Sequence, residues 1–499
     1  MPNLNDVLKN VPIIHRQGND DFPINALGFD SRRIERNDVF FAVGGARVDG
    51  HRFIGQAIER GARAVVCERP EPWASETKDK NIAFFVVENA NEALGIAASN
   101  FHGVPSRALR LVGVTGTNGK TTIATSLFLL FKKLGHKAGL LSTIENRIDG
   151  EIIPATHTTP GALALNKLLR AMVDAGCEYC FMEVSSHALT QYRTAGLEFT
   201  GGIFSNLSQD HLDYHLTFDN YRAAKKSFFD DLPRDAFALA NADDPSTGAL
   251  LNDCGARKFY YGIETAGGFG CHILESRFHG MELDMDGTRI RTGRIGRFNA
   301  YNLLAVYASA LLLGESKDRV LAALGGLGPI AGRFESVESA RGVTAIIDYA
   351  HTPDALENVL LSIHHIRAGN QRIITVVGAG GDRDKTKRPL MARIAARLSD
   401  KLVLTSDNPR WEDPERILDD MAGGIEAEHK EKVTTIPDRR QAIVAALRMA
   451  DQRTDRGDNR RTEPGDIVLV AGKGHENYQE TKGVRTHFDD KEVVTEFLS

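Results

Sequence analysis

The chain has 499 residues, 42% of them hydrophobic and 25% charged, with a formal net charge of −5. That length is too great for one compact core and sets an expectation of about three domains, while the composition is that of an ordinary globular protein and excludes disorder on a large scale. No global basic field favours nucleic acid.

The longest apolar stretch, 303–313, is too short to cross a bilayer. Residues 1–17 lack a basic region followed by a long apolar core, so no signal peptide is expected and the chain reads as cytoplasmic. Five cysteines do not make a disulfide framework. Cys177 and Cys180 have the spacing of half a zinc site, but no second pair completes it, and buried thiols are the expectation.

Residues 1–106 form a first region, with a strand at 39–43, a helix at 53–59 and a strand at 64–67. The segment Asp30-Ser31-Arg32 stands before them, and 71–80 reads as a polar loop. A small α/β domain is the expectation, with no ligand legible from pattern alone.

The second region, 107–331, opens on the most informative stretch. An apolar run at 111–114 reads as a buried strand; Gly113, Gly116 and Gly119 follow closely, then Lys120, Thr121 and Thr122, then apolar residues at helical spacing over 123–134. Strand, glycine loop, Lys-Thr and helix together make a phosphate cradle. Backbone N–H groups and the helix start face an anion, Lys120 reaches the terminal phosphates, and the Thr121 hydroxyl can ligate Mg²⁺. The loop departs from the strict pattern in having Val114 where a glycine is usual. A dinucleotide fingerprint does not fit, because its three-glycine spacing is absent and it has no use for the lysine. Further strands are expected at 138–142, 180–184, 203–204 and 237–240, a helix at 302–313 and a linker at 325–332. Alternation of this kind argues a mostly parallel sheet with helices on both faces. Glu183 leaves its strand well placed to hold Mg²⁺ with Thr121. The cluster Asp210, His211, Asp213 and His215 reads equally as a metal site or a solvated loop.

The third region, 332–499, repeats the alternation, with strands at 344–347, 373–377, 402–405 and 467–471. Each ends in a polar cluster: 348–351, 378–384, 406–410 and 472–476. Ligands bind outside the carboxyl ends of strands in open α/β sheets, so four such clusters predict one shared site. Residues 451–466 read as a surface loop.

Taken together, Gly-Thr-Asn-Gly-Lys-Thr-Thr (116–122), Glu-Val-Ser-Ser-His (183–187), Asp-His-Leu-Asp-Tyr-His (210–215) and Tyr-x-x-Ala-Lys (221–225) resemble the Mur ligase family. So do Gly-Arg-Phe-Glu (332–335), Asp-Tyr-Ala-His-Thr-Pro (348–353), Gly-Gly-Asp-Arg-Asp (380–384), Asp-Asn-Pro-Arg (407–410) and Gly-Lys-Gly-His-Glu (472–476), in order over all three regions. The resemblance implies a small N-terminal α/β domain for the UDP end of the substrate, a central P-loop ATPase-like parallel sheet, and a Rossmann-like C-terminal domain for the amino acid. It implies ATP-dependent ligation through an acyl phosphate, and within the family the branch adding meso-diaminopimelate to UDP-N-acetylmuramoyl-L-alanyl-D-glutamate. The alternatives are a lysine-adding Mur ligase or an amide ligase like folylpolyglutamate synthetase.

Carried over by motif, Thr121, Glu183, His211 and a carbamylated Lys225 would hold Mg²⁺, with Lys120 the catalytic cation. Gly116, Thr117, Asn118, Gly119, Lys120, Thr121, Thr122, Asn302, Arg333 and Asp348 would bind ATP. Ser31, Thr158, Thr159, Ser185, Gln191 and Arg193 would bind the UDP-muramoyl-dipeptide. The Thr158 and Thr159 hydroxyls serve equally as turn stabilisers by their residue type. Arg383, Asp407, Asn408, Pro409, Arg410, Gly472 and Glu476 would bind diaminopimelate, Arg410 gripping its distal carboxylate and Glu476 its ammonium. A monomer without a membrane span or nucleic-acid partner is expected.

Overall fold

The computed structural model describes residues 1–18, 21–45, 48–70, 73, 82–265, 267–451 and 465–498. Among them the strands form three large sheets, one in each of three α/β domains, and a separate hairpin. The expected loops at 71–80 and 451–466 fall almost wholly outside the described residues.

In the first sheet Leu27–Gly28, Val39–Phe41, Ala64–Cys67 and Ala83–Val87 run parallel, and Ile13–Gln17 closes one edge antiparallel. The expected helix at 53–59 starts one residue later, at Ile54. Ahead of it Gly50–Phe53 forms a 3₁₀ turn, whose His51 N–H donates to the Asp49 carboxylate.

The central sheet is organised about Arg110–Thr115, flanked by Tyr179–Glu183 on one side and Gly201–Phe204 on the other. Their parallel register sets Val114 opposite Glu183 and Thr115 opposite Phe204. The glycine loop, Glu183 and Ser205 therefore emerge at one edge. Apolar clusters cover both faces; Phe131 and Phe181 fill one and Phe204 and Phe229 the other. Helix Arg297–Leu312 packs on the phosphate-loop helix Lys120–Lys133 and is buried nearly all round, so it carries no polar stripe. No helix among the described residues is long and apolar enough to cross a membrane.

The sheet is wider than the mostly parallel one expected. Glu145–Ile148 and Glu151–Pro154 extend one edge antiparallel, and the meander Phe269–Arg277, Gly280–Met285 and Thr288–Thr292 extends the other. In Gly280–Met285 only alternate residues are buried, Met281, Leu283 and Met285. A half-solvated strand offers a weaker apolar run than the fully buried central strands.

The third sheet runs Glu335–Glu338, Thr344–Asp348, Ile467–Ala471, Ile373–Val377, Lys401–Leu404 and Val433–Thr435, with only the first strand antiparallel. Asp348, Ala471, Val377 and Leu404 lie in one row, so the clusters that follow them share an edge, as expected. The five cysteines are buried and unpaired.

Candidate active site

The phosphate loop is held from below by its neighbour strand. Thr117 N–H donates to the Asn206 carbonyl at 2.8 Å, Asn118 N–H to Asn206 Oδ1 at 2.9 Å, and Asn206 Nδ2 returns a bond to the Asn118 carbonyl at 3.1 Å. Gly116 has φ 146°, and a Cβ there would lie 2.0 Å from Ser205 Oγ; at Gly119, with φ 87°, one would lie 2.6 Å from Asn302 Oδ1. Gly116 is therefore required by backbone and by space, the Asn206 backbone also lying at 3.0 Å, and Gly119 by its backbone conformation. Lys120 folds over the loop, its Nζ donating to the carbonyls of Gly116 at 2.9 Å and Thr117 at 2.8 Å.

The loop opens on a cavity of about 1000 Å³. Its wall includes the expected Thr117, Asn118, Gly119, Lys120, Thr121, Thr122, Thr158, Glu183, Ser185, His211, Lys225, Asn302, Arg333 and Asp348. Burial pushes the His211 imidazole down to about 3, against the pull of Asp210, so it is neutral at pH 7. Lys225 is buried, lies over the Tyr221 ring and donates to the Gly116 carbonyl at 2.8 Å. Burial, and next the charge of Lys120, push its amine well below the ordinary lysine value. Glu183 is buried, and its carboxylate accepts from Thr143 N–H at 2.7 Å.

The third domain closes this cavity. Arg333 Nη2 donates to Thr121 Oγ1 at 3.0 Å, and the guanidinium lies 4.5 Å above the Tyr349 ring. Asp354 accepts from Asn118 Nδ2 at 2.8 Å and Ser208 Oγ at 3.2 Å. Buried Asp210 meets Lys387 at 3.6 Å and His351 at 4.0 Å. Asp348 accepts backbone bonds from Phe334 and Ala350, and burial raises its carboxyl from 3.8 to about 6 despite the opposing charge of Arg333. The sequence reading passed over Asp354 and Lys387, which no motif marks, and gave no role to Tyr349 and His351, although it quoted the motif that contains them.

The residues expected to meet the muramoyl dipeptide separate into three groups. Thr158 and Ser185 line the cavity. Thr159 is fully buried, and its hydroxyl donates to the Glu183 carbonyl at 2.8 Å and accepts from Ser185 N–H at 3.1 Å, serving the turn. Arg193 binds the Thr159 carbonyl and Gln191 Oε1, fixing that turn from outside. Ser31 stands apart in the first domain, donating to Gln56 at 2.6 Å.

The residues expected to meet the amino acid do come together. Asn408 Nδ2 donates to Glu476 Oε2 at 2.7 Å, a Cβ on Gly472 would lie 2.7 Å from Asp407 Oδ2, and Arg410 Nη1 donates to the Gly381 carbonyl at 2.7 Å. Burial would raise the Asp407 carboxyl, but Lys473 and Arg439 hold it below its ordinary value. Arg383 sits in the same loop, donating to the Asp382 carbonyl at 3.1 Å.

The hairpin Tyr478–Thr481 and Val484–His487, which sequence reading missed, grips this segment along its length. Gln479 Nε2 donates to the Asp407 carbonyl at 2.8 Å, Glu480 N–H to Asn408 Oδ1 at 3.0 Å, and Arg410 N–H to the Glu480 carbonyl at 3.0 Å. Those bonds hold Arg410 in a left-handed conformation, φ 54°, after Pro409. The first strand of the hairpin is half-buried and the second exposed, and both are mostly polar, which left no apolar signal.

A phosphate loop facing a cationic residue from a second α/β domain defines a nucleotide-dependent enzyme whose cavity is shared between two domains. The chain matches the Mur ligase family catalytic domain over residues 23–102, the Mur ligase middle domain over 114–310, and the Mur ligase glutamate ligase domain over 332–474. It belongs to the Mur ligase family. It is 52% identical to the UDP-N-acetylmuramoyl-L-alanyl-D-glutamate–2,6-diaminopimelate ligase of Parabacteroides distasonis, covering 97% of this chain and 96% of that protein. With the protein of the same name from Phocaeicola vulgatus it shares 50% identity over 99% of each. Among solved structures, one of a ligase of that name superposes with a TM-score of 0.66 at 31% identity, covering 95% of both chains.

Proposed function

We propose that this chain joins meso-diaminopimelate to UDP-N-acetylmuramoyl-L-alanyl-D-glutamate, with ATP as co-substrate, in cytoplasmic peptidoglycan precursor synthesis. The observation that carries this reading is a single side chain. Tyr349 lies under Arg333, which reaches the phosphate loop, and its hydroxyl donates to Glu476 of the amino-acid cluster at 3.4 Å. Nucleotide and amino-acid groups thus meet across one ring. We take the domains to divide at 106/107 and 331/332, between the three sheets.

In this reading the substrate carboxylate attacks the ATP γ-phosphorus, ADP leaves, and an acyl phosphate forms. The free amine then attacks the acyl carbon; the tetrahedral intermediate loses phosphate, and the amine's proton goes to solvent or a neighbouring base. A carboxylate and a triphosphate repel each other, so the site needs cations, and Lys120 and Arg333 supply them at the loop.

The donor set fits a hard divalent ion. Thr121 gives a hydroxyl, Glu183 a carboxylate and His211 a neutral imidazole, all lining the cavity. Among the described residues the one compact trio of His and acidic ligands is Glu426, Glu428 and His429. The cavity is therefore no closed cage of protein ligands, which suits Mg²⁺ completed by phosphate oxygens and water. Bound there, Mg²⁺ would offset charge on the phosphates as they approach the carboxylate. The neutral amine of Lys225 is the form that adds CO₂, and the resulting carbamate would give an anionic oxygen ligand. Lys225→Ala should lose activity, and acetate should restore part of it; full activity in bicarbonate-free buffer with an unmodified lysine would end the carbamate proposal.

The test of the whole reading is a ligation assay with purified UDP-muramoyl-dipeptide and ATP, offering diaminopimelate and lysine in parallel. Tripeptide product and ADP with diaminopimelate are expected. Comparable rates with lysine at matched low concentration would overturn the substrate assignment.

A further inference from the structure

The amino-acid cluster contains a cation that the substrate contacts above do not use. Lys473 has no exposed surface. Its Nζ donates to Asn408 Oδ1 at 3.1 Å and Glu476 Oε2 at 3.2 Å, and lies 5.3 Å from the centre of the Tyr478 ring. A buried ammonium is costly unless it is paired and hydrogen-bonded, and these three partners meet that need.

The consequence falls on Glu476. Its Oε2 is taken twice, by Lys473 and by Asn408 Nδ2. Its Oε1 has one contact, the Tyr349 hydroxyl at the long distance of 3.4 Å. The carboxylate is thus pinned by one oxygen and offers the other.

Charge counting gives the same result. Arg439 and Asp490, both fully buried, pair with each other at 2.6 Å. Asp407 and Glu476 then stand against Lys473, Arg410 and Arg383. Lys473 is the cation that bonds Glu476, which leaves Arg410 and Arg383 to the distal carboxylate of diaminopimelate. Burial and Asp407 already push the Glu476 carboxyl up, and Lys473 is the cation that opposes them.

We propose that Lys473 is a positioning residue for amino-acid selection: wedged between Asn408 and Glu476, it turns Glu476 Oε1 toward the distal ammonium of the incoming diamino acid. This deepens the substrate reading given above and rests on it. Lys473 touches no substrate atom in this account; it acts through Glu476.

The experiment uses the full chain and two ligands. One is diaminopimelate; the other is 2-aminopimelate, which keeps the distal carboxylate and lacks the distal amine. Lys473→Met should raise KM for diaminopimelate by about tenfold or more, the scale of a lost hydrogen bond to a charged group. KM for ATP and for the muramoyl dipeptide, and the inhibition constant of 2-aminopimelate, should stay within about twofold. Adding Lys473→Met to Glu476→Gln should cause no further rise, because both changes remove one interaction. Equal weakening of diaminopimelate and 2-aminopimelate, or additive effects in the double variant, would overturn the proposal and leave Lys473 a packing residue. Should Lys473→Met not fold, the wild type decides. It should bind 2-aminopimelate at least about tenfold more weakly than diaminopimelate, and equal binding overturns the proposal. A wild type that ligates no diaminopimelate at all would refute the substrate reading instead, a separate result.

Discussion

The phosphate-loop edge of the central sheet and the amino-acid edge of the third sheet are built in opposite ways. The first is contiguous: residues 116–122 supply the loop, the cation and the hydroxyl, and the loop is held through its own backbone N–H and carbonyl groups by the Ser205 hydroxyl and by the carbonyl and side-chain amide of Asn206. The second is dispersed over loops after three strands, and side chains hold it together, Asn408 to Glu476 and Lys473, with a hairpin across the top. A loop held by backbone depends on small residues and on φ. A pocket held by side chains depends on charge balance, and each partner can be altered alone. Chemistry common to a family suits the first construction, and substrate choice suits the second.

Breaking the contiguous edge should have the largest effect. Lys120→Ala removes the cation over the loop without touching a core cluster, so ADP release should fall by at least about a hundredfold, equivalent to roughly 3 kcal/mol of barrier. The melting temperature should stay near that of the wild type. Near-normal ADP release with an unchanged melting curve would show that the loop does not do this chemistry.

At the dispersed edge, Arg410→Ala should separate the substrates. KM for diaminopimelate should rise by about ten- to a hundredfold, the scale of a charged bidentate contact, and KM for ATP should move by less than about twofold. Parallel loss of both would mean that the two edges are not independent.

Asp348 sits between the edges and offers a pH test. Its carboxyl is raised on folding from 3.8 to about 6, chiefly by burial. The native state therefore holds this proton more tightly than the unfolded chain. That contribution to stability is full below about pH 4, is lost as pH rises through 6, and is absent at pH 7. The window corresponds to about 3 kcal/mol. Relative to Asp348→Asn, the wild type should gain stability in urea titrations as pH is lowered from 7 to 5; a gap independent of pH would show that the carboxyl titrates normally.

The smallest effect should come from the hairpin. Gln479→Ala deletes one bond to the Asp407 carbonyl, and KM for diaminopimelate should rise by about fivefold, or about 1 kcal/mol. An unchanged value would assign the hold on the loop to the hairpin backbone alone.

Reading the amino acids alone determined whatever depends on short-range pattern. Buried parallel strands are continuous apolar runs, so Ile373–Val377 and Ile467–Ala471 were bounded to the residue. The phosphate loop was legible because strand, glycines, lysine and helix follow one another within a few residues. Only the tertiary structure decided the order of the strands and which side chains meet at their ends. It set Arg333 against Thr121, Asp354 against Asn118, and Lys473 between Asn408 and Glu476. It also separated Thr158 from Thr159, adjacent residues of one type, by turning one hydroxyl into the protein and leaving the other at the cavity. Such pairings are fixed by sheet register and domain closure, which act between residues tens to hundreds apart. The antiparallel flanks and the 478–487 hairpin left little trace in sequence, because a half-buried or exposed strand needs no continuous apolar run to form.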